Sequence, residues 1–199
     1  MARLPQVLGT DDLALAELCA ARLDGELVVL ARGWVPIDEP DLPSLRARAL
    51  GGAAGLIIER RSAAWVHGAT FEIPQLAEFC VPNRARVSVA PEAGRRVREV
   101  GIGDDEITRI GGCPCTTPVR TAFDLLRDHT VDDRTAVDAV RGLVATGATG
   151  YDEIEGRLEA SGRIPHKRLA AARLALVAGD RASALARAGE VPAQPSLTR

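Results

Sequence analysis

The sequence predicts an α+β fold in which a small sheet precedes a helical C-terminal half. Short β-prone runs recur up to residue 110, whereas from residue 118 onward the apolar residues repeat at helical spacing. The chain has 199 residues, of which 46% are hydrophobic and 26% charged, which is typical of a globular protein with a proper core. We expect the sheet to be antiparallel or mixed.

The first module is predicted to occupy residues 1–41 and to consist of a helix and a hairpin. The helix runs from Asp11 to about Arg22, and β-prone runs at residues 26–30 and 34–37 form the hairpin. A helix followed by such a hairpin is part of a winged helix, but too few residues precede Asp11 to supply the first helices of that motif. We therefore expect a degenerate winged-helix-like module. A small packing element that binds no DNA fits the same pattern.

The second unit is predicted to span residues 42–178, after which residues 179–199 form a short helix and a disordered tail. A short buried strand is predicted at residues 56–58, and strands spaced like an antiparallel meander are predicted at residues 79–82, 86–90, 97–102 and 107–110. Helices are predicted at residues 44–50, 62–66, 118–128, 132–144, 151–161 and 165–177.

Residues 112–127 join the two halves of this unit. Pro118 suits the first position of a helix, where its missing N–H is not needed, and Thr116 or Thr117 can cap that helix. The apolar stripe of the helix consists of Val119, Ala122, Phe123, Leu125 and Leu126.

The polar residues of this helix allow two interpretations. In the first, Arg120 and Asp124 form a modest surface ion pair one turn apart, while Asp124, Arg127 and Asp128 face water. In the second, Arg120 is buried and tied to carbonyl groups of the loop that leads into the helix, and it forms a polar cluster with Thr117 and Asp124.

The charge distribution limits where nucleic acid could bind. The net charge is −2, so a binding surface must be a local patch. Residues 1–42 hold three arginines against eight acidic residues, which disfavours DNA binding by the first module because phosphate neutralisation supplies most of such affinity. Residues 84–98 hold five arginines against one acid, and alternation places several of them on one sheet face. The candidate nucleic-acid-binding residues are Arg84, Arg86, Arg95, Arg96, Arg98, Arg22 and Arg32. The alternative is a solvated sheet face that binds nothing.

The sequence carries no complete catalytic or metal-binding pattern. It has no phosphate-cradling glycine loop, no His-Glu-x-x-His pair and no Gly-x-Ser-x-Gly turn. His67 is interpreted as a packing residue, the acids at residues 104–106 as a turn and a solvated edge, and the cysteines as free thiols, because Cys113 and Cys115 are too close for a zinc ribbon. We therefore expect no enzymatic activity, no metal and no cofactor. We also expect a cytoplasmic protein, because no membrane span or signal peptide is present.

Three segments resemble one known family. Residues 116–127 read Thr-Thr-Pro-Val-Arg-Thr-Ala-Phe-Asp-Leu-Leu-Arg, which resembles a signature of AbiEi-family proteins of actinobacterial type, the antitoxins of type IV toxin–antitoxin pairs. Residues 59–68 and 16–36 resemble further pieces of that family in the same order. The resemblance covers about residues 11 to 145. The signature residues that it identifies are Thr117, Pro118, Arg120, Thr121 and Asp124.

The resemblance implies an antitoxin that restrains a nucleotidyltransferase-type toxin and represses its own promoter as a transcriptional regulator. It also favours the buried interpretation of Arg120, because the Arg-Thr-x-x-Asp pattern is kept intact. Two alternatives stay open. Residues 176–192 are similar to the join that leads, in related proteins, into a very-short-patch-repair-type endonuclease, so the chain could be the front half of such a protein without its nuclease. The other alternative is a protein-interaction module with no nucleic-acid role.

Overall fold

The computed structural model describes residues 5–52, 55–85 and 92–189, with side chains as far as residue 179. Its first elements are helix α1 (Leu15–Leu23) and strands β1 (Leu27–Leu30) and β2 (Gly33–Pro36). The two strands form the predicted antiparallel hairpin, with Leu30 opposite Gly33 at its tip. The helix begins later than predicted because residues 9–12 form a turn, in which Asp12 accepts a hydrogen bond of 2.8 Å from the backbone N–H of Gly9.

The sheet unit combines five strands with two short helices. In chain order these elements are α2 (Pro43–Ala49), β3 (Ile57–Ile58), α3 (Arg60–Val66), β4 (Ala77–Pro82), β5 (Arg95–Val100), β6 (Ile107–Ile110) and β7 (Cys113–Thr116). The strand order across the sheet is β5-β4-β3-β7-β6. A single 3₁₀ turn, Asp104–Glu106, separates β5 from β6.

The sheet is mixed, which is one of the two predicted alternatives, but the prediction of an antiparallel meander is wrong, because the consecutive strands β4 and β5 are parallel. Strand β4 pairs parallel to β5, and β3 pairs parallel to β7, while the β3–β4 and β6–β7 pairs are antiparallel. A parallel pair needs a long connection instead of a tight turn. Residues 83–94 form that connection between β4 and β5. The strand predicted at residues 86–90 lies outside the described residues.

Strand β7 was not predicted, because a proline interrupts the run Cys113–Thr116. Pro114 lies opposite Arg109 of β6, whereas β3 pairs with β7 only at Cys115. Cys115, and not Pro114, is therefore the residue of β7 that pairs with β3, and a proline is tolerated in a strand where its missing N–H is not part of the ladder. This strand leads directly into the helix that joins the two halves.

The helical half is organised around that helix. It contains α4 (Pro118–Arg127), α5 (Asp133–Ala145), α6 (Tyr151–Ala160) and α7 (Lys167–Gly189). Helix α4 packs against α3 of the sheet unit and against α5, α6 and α7. Helix α7 continues to Gly189, beyond Val177, where the sequence predicted its end.

Two apolar cores meet at α3, which contributes Ala64 to one and Ala63 and Trp65 to the other. One core packs the sheet against α2 and α3 around Trp65 and Phe79, and the other packs α4 to α7 around Phe123 and Leu143. The N-terminal module has a small cluster of its own, centred on Leu18. This arrangement confirms the predicted α+β fold with a helical C-terminal half.

Candidate functional site

The signature residues Thr117, Pro118 and Thr121 build the start of helix α4. Pro118 occupies the first helical position, and the Thr117 hydroxyl caps the helix by accepting from the N–H of Arg120 at 3.4 Å. The Thr121 hydroxyl donates to the Thr117 carbonyl at 2.9 Å and lies 2.7 Å from the Thr116 hydroxyl. The contact with Thr116 holds the helix against the end of β7. These residues therefore fix the direction in which the rest of the signature points.

Arg120 is buried at the centre of a polar network. Its Nε donates to Asp124 at 2.8 Å, and its Nη1 donates to the Gly101 carbonyl at 3.0 Å and to Glu106 at 2.5 Å. Only 6% of its side chain is exposed. Burial by itself would lower the pKa of Arg120, but the two carboxylates outweigh it and hold that pKa above its ordinary value.

This geometry decides between the two interpretations of the helix. Arg120 is buried, as the second interpretation expects, but the carbonyl that it binds belongs to Gly101 in the loop after β5 and not to the loop that leads into the helix. The expectation that Asp124, Arg127 and Asp128 face water is wrong, because Asp124 and Asp128 are buried and Arg127 is largely covered. Helical spacing alone placed them outside, but α3 and the chain after β5 cover that side of α4.

Glu106 connects the network to helix α6. One of its oxygens accepts from Nε and Nη2 of Arg157 at 2.9 and 2.7 Å, and the other accepts from Arg120. Burial would raise the pKa of Glu106, but hydrogen bonds from Arg157 and the N–H of Gly103 and the charge of Arg120 lower it overall. The expectation that this residue lies on a solvated edge is therefore wrong. Its carboxylate bridges two helices.

Two further ion pairs join the sheet to the helices. Arg98 of β5 binds Glu59 through two hydrogen bonds of 2.7 and 2.6 Å, and Arg60 lies 2.7 Å from Asp128. Glu59 is almost fully buried, and this burial raises its pKa against the opposing effect of Arg98. Together with Arg120, these pairs link the start of α3, the segment of β5 and the loop after it, and helix α4, which are distant in the sequence. Removing one partner would leave a buried charge without compensation.

The arginines predicted to bind nucleic acid are mostly paired with carboxylates. The pairs within or beside the sheet are Arg84 with Asp104, Arg95 with Glu92 at 2.8 Å, Arg96 with Glu78 at 3.8 Å, and Arg98 with Glu59. In the first module, Arg32 pairs with Glu92, while Arg22 is exposed and forms no ion pair within the described part of the chain. Arg86 lies outside the described residues. The structure thus brings Arg95, Arg96 and Arg98 together on β5, but with their charges largely balanced.

His67 has a structural role at the end of α3. Its Nε2 lies 2.8 Å from the Thr116 carbonyl, to which the neutral ring donates, and 3.7 Å from the Cys115 sulfur. Burial lowers the pKa of His67. This contact matches the packing role that the sequence predicted. Among the described residues, no three His, Cys, Asp or Glu side chains are grouped so that they could hold a metal ion.

Comparison with known proteins identifies one family. The sequence model of the AbiEi antitoxin C-terminal domain matches residues 53–174, which is more than half of the chain. The match includes the sheet from β3 onward, the network around Arg120 and the helices as far as the first part of α7. Among curated proteins no relative matches the chain. Within the described residues, no helix is both long enough and apolar enough to cross a membrane.

Proposed function

Because the chain belongs to the family of AbiEi antitoxins, we propose that it restrains a nucleotidyltransferase-type toxin. The observation that supports this proposal is that the family match, at residues 53–174, covers strands β3 to β7 and helices α3 to α6, which share one ion-pair network. The signature residues Arg120 and Asp124 are buried inside that network and bind other residues of the chain. Toxin restraint therefore depends on surfaces that the network holds in place, and not on direct contact with Arg120 or Asp124.

We propose that the chain consists of three segments, each with its own role. Residues 42–178 form the antitoxin core, to which α2 belongs because it packs on α3 and β7. Residues 1–41 form a separate module with its own small cluster around Leu18. The proposed third segment, residues 179–199, begins within α7, which the structure describes as far as Gly189.

A growth assay tests the antitoxin proposal. The chain is expressed together with a nucleotidyltransferase-type toxin, taken from the adjoining reading frame if that frame encodes one, and growth is compared with that of cells expressing the toxin alone. Growth is expected to recover with the native chain and with Arg134→Gln, whose side chain is exposed on α5. Growth arrest in the presence of soluble, folded chain would contradict the proposal and favour an interaction module of another kind.

One observation favours a second function, repression of the chain's own promoter. Helix α1 and the β1–β2 hairpin follow each other in the order of the recognition helix and wing of a winged helix. The module is acidic, however, and Arg32 is held by Glu92 and the Ala93 carbonyl. We therefore propose that promoter contacts to phosphate come mainly from arginines outside this module. The test is the salt dependence of promoter-fragment affinity, measured for the native chain and for the single variant Arg22→Ala. An unaltered slope in the variant would agree with this assignment, and a flatter slope would contradict it.

A further inference from the structure

Two guanidinium groups flank the buried ring of Phe123 where α4 meets α6. The Cζ atoms of Arg157 and Arg127 lie 4.2 and 4.7 Å from the ring centroid. Contacts of this kind hold a cation over an aromatic face. The side chains of Arg157 and Arg127 nevertheless remain 32% and 21% exposed. Both groups are therefore fixed in place and still reachable from solvent.

Part of their hydrogen-bonding capacity is unused. Arg157 directs Nε and Nη2 to Glu106, and Arg127 donates Nε to the Pro165 carbonyl at 3.2 Å. The nearest carboxylate oxygen to Arg127 belongs to Asp124 at 3.9 Å, and Asp124 is already bound by Arg120. Within the described part of the chain, Nη1 of Arg157 and Nη2 of Arg127 make no hydrogen bond. Arg127 is the least neutralised arginine of the network.

The ion-pair network around Arg120 contains one more positive than negative side chain. Its members are four arginines and three acids, namely Arg98, Arg120, Arg127 and Arg157 with Glu59, Glu106 and Asp124. Burial lowers the pKa of Arg127, and the neighbouring guanidiniums of Arg120, Arg157 and Arg98 lower it further against the opposing effect of Asp124. An anion bound at Arg127 would balance this excess charge.

The surface next to Arg127 is also basic. Pro165, which accepts from Arg127, lies in the connection between α6 and α7, and the neighbouring His166 ring stacks on His129 at a centroid distance of 4.4 Å. Arg163 of the same connection and Arg168 in the first turn of α7 are exposed, and neither forms an ion pair in the described residues. The β5 arginines differ from these residues, because each of them contacts a carboxylate.

We propose that Arg127 and Arg157 form a binding site for a phosphate group. Guanidinium groups present paired N–H donors that match phosphate oxygens. Both of these groups are held against the same ring, and each has a donor that is unused within the described residues. Arg163 and Arg168 extend the site to neighbouring phosphates. The phosphate belongs either to a free nucleotide or to a nucleic-acid backbone. This site does not depend on the identity of the toxin.

Thermal unfolding of the full chain in inorganic phosphate, compared with sodium chloride at equal ionic strength, tests the site. The native chain and Arg134→Gln, a control on the exposed face of α5, should both show a saturable rise in Tm that chloride does not reproduce. The change Arg127→Gln should abolish that rise. If Arg127→Gln does not fold, Arg127→Lys, which keeps the charge but not the forked donors, should weaken phosphate binding several-fold. No saturable rise in the native chain, or an equal rise in the Arg127 variants, overturns the proposal.

The source of the phosphate is decided by competition. A labelled single-stranded oligonucleotide and a nucleoside monophosphate are each titrated against the native chain and against Arg163→Gln/Arg168→Gln. If the backbone is the ligand, the double variant should flatten the salt dependence of oligonucleotide binding by about 0.7 units of slope for each lost phosphate contact with a single strand. If a nucleotide is the ligand, the monophosphate should compete with inorganic phosphate, and the double variant should bind it as the native chain does. Binding of neither ligand overturns the proposal.

Discussion

Replacing Arg120 by alanine tests the central role that the structure gives to this side chain. The change removes the bond to the Gly101 carbonyl and both contacts to Asp124 and Glu106. Glu106 keeps two hydrogen bonds from Arg157, but Asp124 keeps only Arg127 at 3.9 Å. Asp124 is 6% exposed in the native chain, so bulk water barely reaches its carboxylate.

The expected cost follows from this uncompensated carboxylate. Breaking a buried ion pair by removing one partner destabilises a protein by about 3 to 5 kcal/mol. The remaining contact between Arg127 and Asp124 places Arg120→Ala near the lower end, at about 3 kcal/mol. An exposed i, i+4 pair would instead cost less than about 1 kcal/mol.

Urea unfolding of four proteins measures the cost and its origin. These proteins are the native chain, Arg120→Ala, Asp124→Ala and the double variant, and Arg134→Ala serves as a control because its side chain is 91% exposed. The double variant should lose less than the sum of the single changes, because no buried charge is then left alone. A loss under about 1 kcal/mol for Arg120→Ala, or strict additivity, would refute the reasoning.

Four further predictions use other parts of the fold. Phe123→Ala is expected to cost about 3 to 5 kcal/mol in urea unfolding, because it empties a site in the helical core, and a loss below about 1 kcal/mol would contradict that placement. Gly142→Ala is expected to destabilise by about 1 to 3 kcal/mol, because a Cβ there would lie 1.9 Å from the Ala69 carbonyl oxygen; the control Gly156→Ala, with open space around it, should instead be neutral or stabilising. The pKa of Glu106 is lower in the folded chain than in the unfolded chain, so its contribution is present above its ordinary pKa and is lost as the pH falls through the folded value; the stability difference between the native chain and Glu106→Gln should therefore shrink in acid, and a constant difference would contradict this. Purified chain is expected to show no nuclease or nucleotidyltransferase turnover, because Glu106 is already bound by two arginines; turnover that survives repurification and disappears in Glu106→Ala would contradict this.

Local chemistry made part of the fold predictable. Pro118 and Thr117 predict the start of α4, which the structure confirms. The spacing of its apolar residues predicts that Phe123 lies in the core, as the structure also shows. The hairpin of the first module was predicted for the same reason, since short runs and a glycine turn are neighbours in sequence. Each of these features depends on residues within one or two turns of each other.

Long-range pairing was not predictable from the sequence. The order of the strands is set by β3, which is only two residues long yet lies between β4 and β7. Glu106 was interpreted as part of a solvated edge because its partners, Arg120 and Arg157, are 14 and 51 residues away along the chain. Arg120 and Arg127 also resemble each other in sequence, as arginines on one helix. Only the position of the loop after β5 and of α6 makes the first buried and the second partly open.

The separation of Arg120 from Arg127 has a consequence for how loss of function should be interpreted. Arg120 and Asp124 act inside the fold, so changes there should reduce antitoxin function in proportion to the folded protein that is lost. Arg127 uses its outward side for the proposed phosphate and makes only a long contact with Asp124. A change at Arg127 should therefore alter ligand binding more than stability. If changes at both positions lowered stability and function equally, Arg127 would belong to the structural network alone, and the outer surface would carry no separate role.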